Sequence, residues 1–435
     1  MRFWKSFTTM VSAAAALVAS PLAAQEAIVL AGSVITDADS APSGPQIITI
    51  ADGRIIRLDP ATAEITEAAR ERAGVEDIAF VDLSDKTVLP GLIDLHVHLT
   101  GDPDGSFWKE AVEPDEWGVV VGAKNARLTA LAGFTTVRDL GSAPETGFSL
   151  RRGTAEGMIP GPRIIAAGPA LAIIGGHGDT NGFRPEVNEL LDTGFTCTGA
   201  VECAAKVRLA SQNGADIIKI TATGGVLSQQ GRGLEAHFTD EEMRAIVDTA
   251  ESLGLHVAAH AHGARGIEAA ARAGVHTIEH GTYIDDAAAR VMRDNDTTLV
   301  PTLMAFEGIK VNLGTGFYTP VVEAKINAVA EYATTIVQRA RRNGVRIAFG
   351  TDAGVFPHGQ NAGEFRLLVA GGLTDREALA SATTVAAEIL GMENEIGRIT
   401  PGFSADIIAV DGNPLEDASV LENVDWVMVR GRVIE

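Results

Sequence analysis

Sulfur is scarce in this chain. Its 435 residues hold two cysteines, Cys197 and Cys203, and the lack of any other sulfur ligand beside them argues against a thiolate metal site. In an oxidising compartment the pair can close a small disulfide loop; otherwise it stays as two buried thiols, and the spacing leaves both open. Positive charge is short as well: 35 Lys and Arg stand against 57 Asp and Glu, a formal net charge of −22. A surface of that sign argues against nucleic acid or an anionic membrane surface as partner. Beyond about residue 24 no apolar run reaches the roughly 20 residues needed to cross a bilayer. No Gly-rich dinucleotide fingerprint follows the first strand of the middle section, which argues against a doubly wound open sheet.

What is present starts with a leader. Arg2 and Lys5 precede a short apolar core, Val11 to Ala19, and Ser20-Pro-Leu-Ala-Ala24 offers small residues for cleavage, so residues 1–24 read as a signal peptide. Removing Arg2 and Lys5 with that leader takes the net charge from −22 to −24. The expected compartment is periplasmic or secreted, with no membrane partner after cleavage. Hydrophobic residues make up 46% of the chain and charged ones 21%, enough apolar material for a large core.

Two textures divide the remainder. Residues 25–85 and 396–435 are rich in short hydrophobic runs broken by Gly turns, as in Ile47-Ile-Thr-Ile-Ala-Asp-Gly-Arg-Ile-Ile56 and Val424-Asp-Trp-Val-Met-Val-Arg-Gly431. They are expected to pair into one composite β-sandwich module built from both termini. Between them, residues 86–395 alternate β-branched runs with Ala-rich helical segments. The strands predicted after the one ending at His98 start at Thr135, Arg163, Ile217, His256, Thr277, Thr298 and Arg346. Helices are predicted at 240–253 and 264–273, with Gly254, Gly274 and Gly344 as left-handed caps. Eight strand–helix units predict an α/β fold, a (β/α)8 TIM barrel.

The ends of these strands carry the chemistry. His96 and His98 are two apart, so both face one side of a strand and can reach one point. Lys219 interrupts an apolar run, His260 and His262 end a strand, His280 ends the next, and Asp352 follows the last. Singly, each has a plain structural reading: a satisfied core histidine, a salt-bridged lysine, a helix N-cap. Together, at one end of one sheet, imidazoles and a carboxylate point to a metal site. A buried lysine loses its proton readily, and as a neutral amine can add carbon dioxide to become a carbamate.

On Pro90-Gly-Leu-Ile-Asp-Leu-His-Val-His98, Gly175-Gly-His-Gly-Asp179, Gly214-Ala-Asp-Ile-Ile-Lys219, Ala258-Ala-His-Ala-His-Gly263, Ile278-Glu-His-Gly281 and Gly350-Thr-Asp352, the chain resembles the amidohydrolase superfamily. The branch is the one similar to imidazolonepropionase and to metal-dependent prolidases and Xaa-Arg or Xaa-hydrophobic dipeptidases. That resemblance implies His96, His98 and Asp352 on one metal ion, His260 and His280 on a second, and carboxylated Lys219 between them, with zinc as the expected ion. It implies Asp352 as the proton carrier and His177 as a donor to the developing oxyanion. His262 stands where related prolidases often carry Tyr, and is expected to contact substrate. Arg232 is a candidate carboxylate clamp, with Arg151, Arg152 and Arg184 as other basic candidates, and His237 a further contact. Met304-Ala-Phe306 and Phe317-Tyr318 offer apolar wall.

The expected substrate is a dipeptide or N-acyl amino acid with a free C-terminal carboxylate; some relatives open the phenylalanine amide of ochratoxin. A cyclic amide, as for imidazolonepropionase, is the alternative, and a non-catalytic periplasmic binding protein a third reading. Assembly as a homo-oligomer is an expectation from the resemblance alone.

Overall fold

A computed structural model describes residues 26–101, 103, 107–229 and 233–435. The leader expected over residues 1–24 lies outside them.

Residues from both termini build one sheet. Its strands are β1 (Ala27–Val34), β2 (Gln46–Ala51), β3 (Arg54–Pro60), β4 (Ala79–Pro90), β12 (Ile407–Val410), β13 (Val424–Val429) and β14 (Arg432–Val433), in the order β14-β13-β12-β4-β1-β2-β3. Two-residue turns join β2 to β3 and β13 to β14. Asp52 and Gly53 (φ 50° and 74°), like Arg430 and Gly431 (φ 50° and 74°), are all left-handed, as tight hairpins on twisted strands require. The long β4 is the shared element, parallel to β1 on one side and antiparallel to β12 on the other. Alternation along β1 sends Val29 and Ala31 into a core with Ile48, Ile50, Ile407 and Met428, and Ile28 and Leu30 to the opposite face.

The expected β-sandwich is corrected here, because hydrogen bonding runs continuously through seven strands of a single sheet. The sheet curls until its β3 edge meets the segment before β12: Arg54 bridges Ser404, and Ile55 N–H donates to Phe403 O at 2.9 Å. The hydrophobic runs of residues 25–85 predict strands and turns alone. That stretch contains helix α1 (Ala63–Glu76), capped by Thr62, whose side chain accepts from Ile65 N–H. Ala73 is its one buried residue, with Ile65 and Ala69 half-buried beside it, so its apolar stripe is narrow and the periodic signal weak.

The middle of the chain forms two parallel arcs. One is β5 (Leu92–Val97), β6 (Phe134–Asp139) and β7 (Arg163–Ala166); the other is β8 (Ile218–Thr221), β9 (Val257–Ala261), β10 (Thr277–His280) and β11 (Thr298–Val300). Helices Asp240–Ser252 and Ala264–Ala273 follow β8 and β9 as predicted, and Gly254, Gly274 and Gly344 take φ of 73°, 99° and 72°. Single bridges span the gaps, Leu171 to Ile220 on one side and Leu299 to Ile347 and Val97 to Ala353 on the other. The predicted strand from Arg346 is therefore present only as bridged backbone. It passes so close to its neighbours that a Cβ on Gly350 would lie 2.4 Å from Val300 Cγ1, and Asp352 (φ 62°) then turns the chain away. Among the described residues no helix is long and apolar enough to cross a membrane.

Candidate active site

Strand ends position the site. His96 is the penultimate residue of β5 and His98 lies just beyond its end; β8 supplies Lys219, β9 His260 with His262 one residue past its end, and β10 His280. With Asp352 and His177 they line one cavity of about 730 Å³. Asp352 Oδ1 lies 3.2 Å from His98 Nε2 and 3.4 Å from His96 Nε2, and Lys219 Nζ is 3.3 Å from His96 Nε2. The His177 and His260 rings are 4.2 Å apart. Two groups bring ligand atoms within 4.8 Å of one another: His96, His280 and Asp352, and His260, His262 and His280.

Hydrogen bonds on the outer nitrogens decide what the inner ones offer. His96 Nδ1 is 2.9 Å from the carboxylate of Glu279, and His98 Nδ1 is 3.1 Å from Gly141 O. Both partners only accept, so both Nδ1 atoms carry hydrogen and both Nε2 atoms present lone pairs. His280 Nδ1 meets Thr302 Oγ1 at 2.7 Å; that hydroxyl already donates to Pro301 O, so it accepts here and His280 Nε2 is bare. His260 is reversed, with Nε2–H donating to Gly224 O at 3.2 Å and Nδ1 left as its lone pair. Imidazole lone pairs and a carboxylate oxygen thus converge, with Lys219 Nζ, 3.3 Å from His96 Nε2, as a donor beside them. This donor set fits a divalent cation, with outer-nitrogen partners of the kind that orient ligating histidines.

Electrostatics point the same way. Burial pushes the His96 imidazole down to about 4 and those of His177 and His262 to about 3, keeping them neutral; burial also drives His260 and His280 well below the usual imidazole value. Burial lowers His98 while Asp352 raises it, with a net upward shift, so this nitrogen seeks a cation. Burial lowers the Lys219 amine to about 8, leaving a reactive neutral fraction at neutral pH. Burial alone would raise Asp352, yet His96, His98 and His280 hold it well below the usual carboxylate range.

Of the expected substrate contacts, His262 is on the cavity wall with its Nδ1 2.7 Å from Thr282 Oγ1. His237 is not on that wall; its ring sits behind the loop, where a Cβ on Gly176 would be 3.0 Å from its Nδ1. Arg232 lies outside the described residues. Arg151 is engaged by Asp216 and Gly214 O, and Arg152 by Glu156; neither they nor Arg184 line the cavity. Ala305 and Phe306 form apolar wall as expected, whereas Met304, Phe317 and Tyr318 do not reach it. His256 and His276 stack at 3.8 Å beneath the strands, and His358 bridges Thr129 Oγ1 and His98 O, all outside the cavity.

Several residues of the site carry no sequence motif. Phe107 and Trp117 stand on the cavity wall, and Glu279 and Arg138 lie beneath His96, both fully buried and paired at 2.9 Å. A charged residue inside each of two apolar runs, Thr135-Thr-Val-Arg and Thr277-Ile-Glu-His, was the available signal.

Parallel strands whose C-terminal ends gather imidazoles, a lysine and a carboxylate in one cavity make a site that could hold a divalent metal ion. The chain belongs to the amidohydrolase family, whose model matches residues 87–434. It is 32% identical over 357 residues to the ochratoxinase of Aspergillus niger, covering 77% of this chain and 72% of that one. A crystal structure of a Xaa-Pro dipeptidase with bound methionine in the active site superimposes with a TM-score of 0.84 at 38% identity, over 94% of this chain and 100% of that one. A prolidase complexed with N-methylphosphonate-L-proline aligns with a TM-score of 0.82 at 32% identity, over 94% and 99% of the two chains. With such relatives this chain is a hydrolase acting on C–N bonds.

Proposed function

We propose that this protein is an exported, binuclear metallo-amidohydrolase that cleaves the amide bond of dipeptides or N-acyl amino acids bearing a free C-terminal carboxylate. The observation that carries the reading is the convergence of lone pairs at His96, His98, His280 and Asp352 beside Lys219, whose amine burial lowers to about 8. His96, His98 and Asp352 would hold one ion, His260 and His280 the other, and a Lys219 carbamate would lie between them at the mouth of a closed (β/α)8 barrel. When bound, such ions, expected to be zinc, polarise an amide carbonyl and acidify water.

The chain's own residues do the rest. Asp352, ionised at neutral pH, takes a proton from the attacking water and hands it to the departing amine. His177, fixed by Ser228 Oγ 2.6 Å from its Nδ1, directs Nε2 at the carbonyl oxygen as charge develops there. Phe107, Trp117, Phe306 and Ile309 furnish an apolar wall for a hydrophobic side chain. Similar proteins bound to methionine and to N-methylphosphonate-L-proline favour an amino-acid leaving group with its carboxylate free. The leader over residues 1–24, and the Cys197–Cys203 disulfide, favour export to an oxidising compartment.

A screen of dipeptides and N-acyl amino acids, read by release of free amino acid, tests the substrate class. Turnover confined to cyclic amides would remove it. Metal analysis should find about two divalent ions per chain in active protein.

A further inference from the structure

The second ligand group holds more imidazoles than a shared site beside Lys219 requires. His260, His262 and His280 are all buried, each with a ligand nitrogen within 4.8 Å of the other two. The rings of His262 and His280 stack 15° from parallel with centroids 4.9 Å apart, and His260 stands edge-on to them at 4.7 and 4.6 Å. Their anchoring repeats around the strands. His262 Nδ1 meets Thr282 Oγ1 at 2.7 Å, as His280 Nδ1 meets Thr302 Oγ1 at 2.7 Å, and His262 N–H donates to Thr223 Oγ1 at 2.9 Å. Two histidines on adjacent strand ends are thus held by the same device, and both line the cavity.

We propose that His260, His262 and His280 form a three-imidazole site that binds one divalent cation without Lys219. The proposal rests on reading the cavity as a metal centre and goes beyond it, because His262 becomes a ligand in place of a substrate contact. Three neutral imidazoles with one open position are a sufficient set for zinc, whose tetrahedral bonds of about 2.0–2.1 Å place neighbouring nitrogens about 3.4 Å apart. A small inward movement of the rings brings the present spacing to that value. The Thr282 hydroxyl can accept or donate, so it takes the Nδ1 hydrogen whenever Nε2 is given to a cation. The occupancy of this position then survives loss of the lysine carbamate, which acts as an additional bridge.

The test titrates Co²⁺ into metal-free wild type, Lys219→Ala and Lys219→Ala/His262→Ala, reading bound metal per chain and the visible spectrum, with circular dichroism to confirm folding. The double variant should bind one equivalent fewer than Lys219→Ala, or bind it at least tenfold more weakly. Thr282→Val in the Lys219→Ala chain, which keeps the ring and loses its anchor, should weaken the same equivalent severalfold. Equal stoichiometry and affinity in Lys219→Ala and the double variant overturns the proposal while leaving the metal centre standing. A wild-type chain that takes up no Co²⁺ overturns the metal-centre reading itself.

Discussion

At the scale of single residues, three side chains of the site sit on backbone that most residues avoid. His280, Thr302 and Asp352 have φ of 71°, 49° and 62°, each at or just past a strand end. Conformations of this kind persist only where surrounding structure imposes them, and they gather at functional sites. Here His280 and Asp352 turn sharply so that their side chains enter the cavity, while Thr302 brings its hydroxyl onto His280 Nδ1. Asp352→Asn keeps the shape and one ligating oxygen but removes the proton acceptor. Its kcat should fall about 10²- to 10⁴-fold with bound metal largely retained; near-normal turnover would take Asp352 out of the proton-carrying role. His177 has a different dependence. A Cβ on Gly225 would come within 2.4 Å of its ring, so Gly225→Ala should displace an intact imidazole. If His177 stabilises the oxyanion, His177→Ala lowers kcat about 10²- to 10³-fold, and Gly225→Ala reproduces part of that loss without touching a titratable group. Equal kcat in both variants and wild type refutes the role.

Among elements, the tie between β5, β6 and β10 orients His96, the first of the proposed ligands. Arg138 on β6 donates through Nε to Leu95 O and through an amino group to Glu279 on β10 at 2.9 Å, and Glu279 accepts from His96 on β5. Burial alone would raise Glu279, but Arg138 and His96 bring it down to about 2, so it remains a carboxylate and an acceptor. Glu279→Gln can present an amide nitrogen where His96 needs an acceptor, and should weaken metal binding about 10- to 100-fold, measured by competition with a chelator. Arg138→Met leaves the Glu279 charge buried without its guanidinium partner and should cost about 3–5 kcal/mol in denaturant unfolding. Unchanged metal affinity in Glu279→Gln would assign the pair to stability alone. A strand carrying a fully buried charge is a pattern visible beforehand, yet which partner it meets is not, since Arg138 and Glu279 belong to different arcs.

For the molecule as a whole, many buried imidazoles make the metal-free fold sensitive to acid. His96, His276 and His358 are lowered to about 4 and His177 and His262 to about 3, all chiefly by burial. Unfolded, each takes a proton near pH 6.5, so between pH 6.5 and 4 the unfolded chain binds more protons than the folded one. Stability from these groups is complete above pH 6.5 and is lost as pH falls through 4. The Tm of metal-free protein should decline steadily across that window, and bound divalent metal should shift the decline to lower pH by excluding protons from the ligand nitrogens. A flat Tm from pH 6.5 to 4 contradicts this account.

Local pattern determined a good deal by itself. Seven of the eight expected strands of the middle section, β5–β11, are regular, because β-branched runs bounded by helix caps carry their structure in neighbouring residues. The ligand-type residues at their ends were visible for the same reason: spacing along a strand fixes which face a side chain takes. Tertiary structure alone decided which histidine nitrogen faces the cavity, since Glu279, Gly141, Gly224 and Thr302 come from distant segments. It also turned the terminal strands into one curled sheet, and placed Phe107 and Trp117 on the wall while turning Phe317 and Tyr318 aside. Those outcomes depend on distances between residues far apart in the chain, which packing sets and periodicity does not record.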